Sequence, residues 1–376
     1  MRLTAFVLLR TGKKMEGIFT ISLDFELHWG GFEKWLLEPL APSRKPQASV
    51  SSATEQRITN LPNGQAGNYQ PATNYNQYFL NTRQVIPKLL QLFERHEVHV
   101  LWATVGMLMH QNKESLVANL PDRKPSYVHN ELSAYHFMDS IGIGDNEDND
   151  PFHYAHSLVT KILDTPYQEL GSHTFAHYYC NEAGQTVEQF RADLQAAQKA
   201  ASAYGVKLKS LVFPRNQFND AYLKVCYEEG FSSVRSNPVD WFWKIETRNE
   251  SMWKRLNRGL DAYVPLGSKN AFRLSSLDVR DGFPVCIPAS RLLRPYRPKE
   301  LMLNQCKIKR ILNEMTQAAK AGDVYHLWWH PHNFGWYPAE NLEGLRAILQ
   351  HYAHLKRQYG MTSMSMGEMV DAVTGS

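Results

Sequence analysis

Short runs with the composition of strands, most of them apolar, recur along this chain and predict its strands. These runs cover residues 18–24, 98–104, 209–213, 232–235 and 324–329. Between them lie longer segments in which apolar residues recur every three or four positions, the spacing of a helix that buries one face. Such alternation of strands and helices predicts a parallel sheet or barrel, which belongs to the α/β class.

Local signals place the ends of several helices. Thr186 and Gln189 have the spacing of an N-terminal capping box, and Gly322 is a typical C-terminal glycine. We expect an earlier helix to begin near Asn81, with Pro87 tolerated in its first turns.

One long stretch departs from this pattern. Ser, Asn, Gln, Pro and Thr dominate residues 39–77, where few apolar residues recur with any period. That composition predicts a long loop or flexible insertion. We therefore predict a single domain over residues 17–370 that carries this polar insertion, preceded by an N-terminal extension at residues 1–16. A chain of 376 residues can form one α/β barrel of roughly 250 residues with insertions.

Composition and charge exclude several classes of partner. The net charge of +4 is small for this length, and no dense Lys/Arg stripe suggests a nucleic-acid partner. No apolar run approaches the roughly 20 residues of a membrane-spanning helix. The apolar start of the chain is cut short by Arg10 and Lys13, and no signal-peptide cleavage site follows, so we expect a cytoplasmic protein. Four widely spaced cysteines fit a reduced compartment.

Two histidines, His173 and His177, carry the strongest chemical signal. On a helical turn, residues four apart lie on one face, where two imidazoles can hold one metal ion. A catalytic zinc site uses about three protein ligands and leaves a position open for water. An acidic residue at the end of the first apolar run, Asp24 or Glu26, could supply the third ligand.

Polar residues follow four of the predicted strands. Asp24 and Glu26 end the first run, the two histidines follow a Gly-Ser pair, Arg215 follows the run at 209–213, and His330 follows the last run. Active sites of α/β barrels form at the C-terminal ends of the strands. These residues are therefore candidates for one shared site.

Four short motifs together resemble a known family. In order they are Ser-Leu-Asp-Phe-Glu at 22–26, Gly-Ser-His-Thr-Phe-Ala-His at 171–177, Phe-Pro-Arg-Asn at 213–216 and His-Pro-His at 330–332. This order is similar to that of the polysaccharide deacetylases with the NodB homology domain, which form carbohydrate esterase family 4. The resemblance implies a distorted (β/α) barrel, often with seven strands. It also implies a divalent metal, usually zinc, and removal of an acetyl group from an N-acetylated sugar or oligosaccharide.

The resemblance also implies roles for individual residues. His173 and His177 match the metal-binding histidines, and Asp24 matches the catalytic base. The family usually has a second acid directly after the base, where this chain has Phe25. By analogy with members that carry Asp-x-Glu, Glu26 becomes the third metal ligand.

Two further roles follow from the same resemblance. Arg215 matches the arginine that orients the base, and His330 matches the late histidine that acts as general acid. In this hypothesis a metal-activated water attacks the acetyl carbonyl, the aspartate takes the proton of the water, and the histidine protonates the leaving nitrogen.

Two other functions remain open at this point. A glycoside hydrolase could use Asp24 with a second carboxylate and no metal, although the histidine pair would then be unexplained. A barrel that binds carbohydrate without catalysis is the other alternative, because fold does not fix function.

Overall fold

The computed structural model describes residues 16–38, 74–238, 240, 243, 252–261, 263 and 270–375. The described strands are β1 (Ile18–Phe25), β2 (Val100–Thr104), β3 (Gln168–Ser172), β4 (Ser210–Leu211), β5 (Ser233–Ser236), β6 (Val285–Pro288), β7 (Arg291–Leu292), β8 (Val324–Trp329) and β9 (Thr362–Ser363). The described helices are α1 (Tyr75–His96), α2 (Lys113–Ala118), α3 (Ala134–Ser140), α4 (His156–Asp164), α5 (Val187–Ser202), α6 (Asp220–Glu228), α7 (Met252–Leu260), α8 (Leu301–Ala321), α9 (Pro338–Tyr359) and α10 (Met366–Thr374).

The strands form one parallel sheet in the order β6-β5-β4-β3-β2-β1-β8-β7, with β9 paired to the start of β1. Only Ala289 and Ser290 separate β6 from β7, so the two form one bent segment. The Ala289 N–H donates to the carbonyl of Ser236 on β5 at 2.9 Å, and the Ser290 N–H donates to the carbonyl of His326 on β8 at 2.8 Å. This segment therefore joins the two ends of the sheet. The sheet curls into a distorted barrel with seven strand positions, which confirms the predicted fold.

Burial explains why the central strands read as continuous apolar runs. Every residue of β1 and of β8 is buried, because helices cover the outer face of the sheet and side chains fill its interior. On the outer face, Val85, Leu89 and Phe93 of α1 belong to the same core cluster as Phe19 of β1. The apolar faces of the helices and the buried strands thus pack together in one core.

Helix α1 begins earlier than its sequence indicated. The side chain of Asn74 caps it by accepting from the Gln77 N–H at 3.0 Å, so the helix starts at Tyr75 rather than near Asn81. Pro87 consequently lies inside the helix, where it removes one backbone hydrogen bond. Residues on both sides of it are buried, and that packing offsets the loss.

Two other predicted helix ends agree with the structure. The capping box at Thr186 is present at the start of α5, and Gly322 ends α8 with a φ of 72°. Residues 75–77 of the predicted insertion belong to α1, and residues 39–73 lie outside the described residues, as do residues 1–15. Among the described helices, none combines the length and apolar character that a membrane crossing needs.

Candidate active site

The C-terminal ends of three strands bring the predicted site residues together. Asp24 is the penultimate residue of β1 and Glu26 directly follows that strand, while His173 follows β3 and His330 follows β8. Because the strands are parallel, these ends meet at one rim of the barrel. The grouping inferred from the sequence is therefore present in the structure for these residues.

The segment from His173 to His177 is a loop and not the expected helical turn. Thr174 and His177 both have left-handed backbone conformations, with φ of 63° and 54°. The carboxylate of Asp193 on α5 holds the loop, since it accepts the N–H of Phe175 at 2.6 Å and that of Ala176 at 3.1 Å. The two histidines therefore converge through this loop and not through helical periodicity.

Glu26, His173 and His177 form a buried cluster of potential metal ligands. The Oε1 atom of Glu26 lies 2.9 Å from His173 Nε2 and 3.3 Å from His177 Nε2. One ligand atom from each of the three residues lies within 4.8 Å of the others. Ligand atoms bonded to zinc at about 2.0–2.1 Å in a tetrahedron lie roughly 3.4 Å apart, so the cluster needs only a small expansion to hold such an ion.

Both imidazoles have a hydrogen-bond partner at Nδ1, and for His173 this partner determines the tautomer. His173 Nδ1 lies 2.8 Å from the carbonyl oxygen of Val212, which can only accept, so the proton is on Nδ1. In the neutral ring, Nε2 then directs a lone pair at the Glu26 carboxylate. Burial lowers the pKa of His177, which favours the neutral form of that ring, and its Nδ1 lies 3.0 Å from the hydroxyl of Tyr179. Converging lone pairs and a carboxylate are the donor set that a divalent cation requires.

The Glu26 side chain lies directly against Gly30. A Cβ atom built on Gly30 would lie 1.8 Å from Glu26 Oε2 and 2.6 Å from its carboxyl carbon. Burial alone would raise the pKa of Glu26, but the nearby His330 and His177 lower it well below its usual value, so the group is ionised. The absence of a side chain at position 30 is thus what allows an ionised carboxylate to occupy this place.

Asp24 is held by Arg235 of β5, and the sequence analysis did not identify this arginine. The two guanidinium NH groups donate to the two carboxylate oxygens at 2.6 and 2.8 Å. The guanidinium also lies 4.2 Å from the ring of Trp328. Burial acts to raise the pKa of Asp24, but Arg235, together with His330 and His173, lowers it, and the pKa lies below its usual value. Asp24 is therefore an ionised carboxylate with a fixed orientation.

Arg215 does not make the contact that was predicted for it. Its guanidinium donates to Glu33 at 2.6 Å and lies 4.0 Å from the ring of Tyr179. The backbone turns at this point, with left-handed φ of 53° at both Arg215 and Asn216, which directs the side chain away from Asp24 and towards the Glu33 loop. The prediction that Arg215 orients Asp24 is therefore corrected, because the arginine that binds the Asp24 carboxylate is Arg235.

A signal for Arg235 was present in the sequence. An arginine in a short strand of otherwise small side chains is seldom buried without a carboxylate partner. Arg235 is 1% exposed, so its partner had to lie inside the barrel. The one charged residue of the predicted strand at 232–235 therefore implies a buried acidic partner.

His330 occupies the more open side of the site. Its Nε2 atom lies 3.6 Å from Asp24 Oδ2 and 3.5 Å from Glu26 Oε1, and its side chain is 27% exposed. Its ring contacts those of Trp328 and His332. A group that reaches the site from solvent would therefore meet His330 before the buried cluster.

Comparison with known proteins supports the resemblance seen in the sequence. Residues 75–234 match the sequence model of the polysaccharide deacetylase family. This part of the chain is related to the polysaccharide deacetylases. The matched region includes His173, His177 and Arg215, whereas Asp24, Glu26, Arg235 and His330 lie outside it. No protein of curated function matches the sequence.

One solved structure supports the fold over almost the whole chain. A Mycobacterium smegmatis protein assigned as a polysaccharide deacetylase aligns over 97% of this chain and 93% of its own, with 12% identity and a TM-score of 0.53. An assigned polysaccharide deacetylase from Pseudomonas aeruginosa PAO1 aligns over 94% and 88%, with 10% identity and a TM-score of 0.47. A carbohydrate esterase family 4 pseudoenzyme from Bacillus anthracis aligns over 77% and 62%, with 12% identity and a TM-score of 0.35. Only the first score exceeds 0.5, and at that identity it supports the fold alone.

The contact between Glu26 and Gly30 leads to a first prediction. Gly30→Ala would force the Glu26 side chain to move, because the new Cβ would lie within 3.0 Å of its Oε2, carboxyl carbon and Cβ, and we expect the variant to bind zinc at least about tenfold more weakly. Gly259→Ala is the matched control, because a Cβ there meets nothing within 4 Å. Zinc affinity is measured by competition with a chelating dye, and Gly30→Ala binding zinc as tightly as the control would contradict the geometry.

The second prediction concerns the buried ion pair. Arg235→Met leaves the Asp24 carboxylate buried without its partner, which should lower the free energy of unfolding by about 3–5 kcal/mol. The loss should be smaller when Asp24→Asn is already present, as urea unfolding of the double-mutant cycle would reveal. Arg215→Met, which removes a more exposed arginine, should show no coupling to Asp24→Asn. Coupling to Arg215 instead of Arg235 would reverse our assignment.

Proposed function

We propose that this protein is a zinc-dependent carbohydrate deacetylase that removes the acetyl group from an N-acetylated sugar or oligosaccharide. The observation that carries the proposal is the meeting of a three-residue ligand cluster, Glu26, His173 and His177, with an ionised Asp24 at the same rim. The relation to polysaccharide deacetylases supports the substrate class.

Glu26, His173 and His177 would hold the ion, which when bound polarises a carbonyl oxygen and lowers the pKa of water. The protein groups around it have separate tasks. Asp24 acts as the general base, because Arg235 keeps it ionised and fixes both of its oxygens. Its Oδ2 atom, which faces His330, is the acceptor for the proton of the attacking water.

His330 acts as the general acid. Water adds to the acetyl carbonyl carbon and gives its proton to Asp24, the carbon–nitrogen bond breaks, and the protonated imidazole of His330 passes its proton to the leaving nitrogen. The products are acetate and the free amine of the sugar. The partial exposure of His330 suits this role, since the leaving sugar must lie on the solvent side of the site.

The charge state of the carboxylates argues against the glycosidase alternative. A glycosidase needs one carboxyl group with a raised pKa to protonate the leaving oxygen. Both Asp24 and Glu26 have pKa values below their usual ones. A cytoplasmic location and a role in polysaccharide or cell-envelope metabolism remain predictions.

A screen for acetate release tests the third prediction. Zinc-loaded protein is incubated with N-acetylglucosamine oligomers and with nucleotide-linked N-acetylhexosamines. We expect roughly one zinc ion per chain, release of acetate from at least one substrate, and loss of both zinc and activity in His173→Ala. Asp24→Asn should retain zinc and lower kcat by about 10²–10⁴-fold, because only the general base is removed.

His99→Ala is the matched histidine control. His99 lies just before the N-terminal end of β2, at the opposite end of the barrel, where it pairs with Glu368. Its replacement should leave zinc content and kcat unchanged. Carbohydrate cleavage that survives removal of zinc by a chelator would point to the glycosidase, and zinc binding without acetate release from any substrate would favour a non-catalytic barrel.

A further inference from the structure

One buried polar atom at the site has no role in the proposed reaction. His332 Nδ1 is buried and makes no hydrogen bond to the residues that the structure describes. The residue itself is 4% exposed. A buried polar nitrogen without a partner costs free energy, so its retention calls for an explanation.

His332 Nδ1 faces the second oxygen of Glu26. Glu26 Oε1 lies near the two imidazoles of the ligand cluster, whereas Oε2 lies 3.9 Å from His332 Nδ1. That gap is about one ångström longer than a hydrogen bond. Gly30 lies against the same oxygen, since a Cβ built on it would lie 1.8 Å from Oε2. A small rotation of the carboxylate would therefore complete the hydrogen bond.

The surrounding aromatic side chains keep the His332 ring in place. Its centroid lies 5.1 Å from the ring of Trp35, 5.9 Å from that of Tyr78 and 6.3 Å from that of Phe79. The residue also belongs to the short helical turn Pro331–Phe334, directly after β8. Packing thus holds His332 Nδ1 in place, and Glu26 is the partner that can move.

We propose that His332 is a positioning residue for the metal site: its Nδ1–H donates to Glu26 Oε2 and holds the carboxylate with Oε1 directed at the ion. The inference rests on the proposed metal site. Groups that hold a ligand in this way typically contribute 10–100-fold to metal affinity. This role differs from that of His330, which acts on the substrate, and from that of a fourth ligand, which would contact the ion.

Two variants of nearly equal shape test this fourth prediction. Asn and Leu have similar volume and branching, but only the Asn amide can donate in place of Nδ1. We expect His332→Leu to raise the Kd for zinc 10–100-fold and His332→Asn to remain within about threefold of the original protein. Circular dichroism and thermal unfolding confirm that each variant is folded, and Kd is measured by competition with a chelating dye.

The controls separate this inference from the proposed function. Equal zinc affinities for the Asn and Leu variants would overturn the donor role, because packing would then explain any common loss. Cobalt-loaded His332→Leu should keep the visible absorption spectrum of the original protein, and a changed spectrum would make His332 a ligand and overturn the positioning role. If the original protein binds no zinc, both ideas fail; if it binds zinc and these variants behave otherwise than expected, only the inference fails.

Discussion

The site depends on an ionised carboxylate, Glu26, that is buried against the imidazoles of His173 and His177. A carboxylate taken out of water is costly unless charge or hydrogen bonds compensate it. Here His173 and His177 direct ring nitrogens at one oxygen, and the protein leaves room for the other by having no side chain at Gly30. A divalent cation is the group that would satisfy all three donors at once. The rest of the site consists of contacts that keep these donors converged.

Those contacts come from different parts of the barrel. Asp193 on α5 fixes the loop of the histidines by accepting two of its backbone N–H groups, and the Val212 carbonyl after β4 fixes the tautomer of His173. Arg235 on β5 fixes the orientation of Asp24 by donating to both of its carboxylate oxygens. The closed parallel barrel makes this convergence attainable, because it brings strand ends that are far apart in sequence to one rim.

Features that depend on periodicity and on strand ends, such as the grouping of the site residues, could be predicted from the sequence. Asp24, Glu26, His173 and His330 were predicted to meet because each follows or ends an apolar run, and they do meet. Prediction failed where geometry depends on single backbone turns or on which way a side chain points. Nothing in the spacing of His173 and His177 reveals left-handed residues in their loop, and the turn at Arg215 and Asn216 moves that arginine away from the base. For Arg235 an acidic partner could be inferred from the sequence, since a buried arginine implies a buried acid.

The central claim is that Glu26, His173 and His177 share one metal ion. X-ray data collected on zinc-soaked crystals at energies above and below the zinc absorption edge test it directly. We expect an anomalous peak about 2.0–2.2 Å from Nε2 of both histidines and from a Glu26 oxygen. A zinc-saturated crystal with its anomalous peaks elsewhere, and none between these three side chains, would contradict the account.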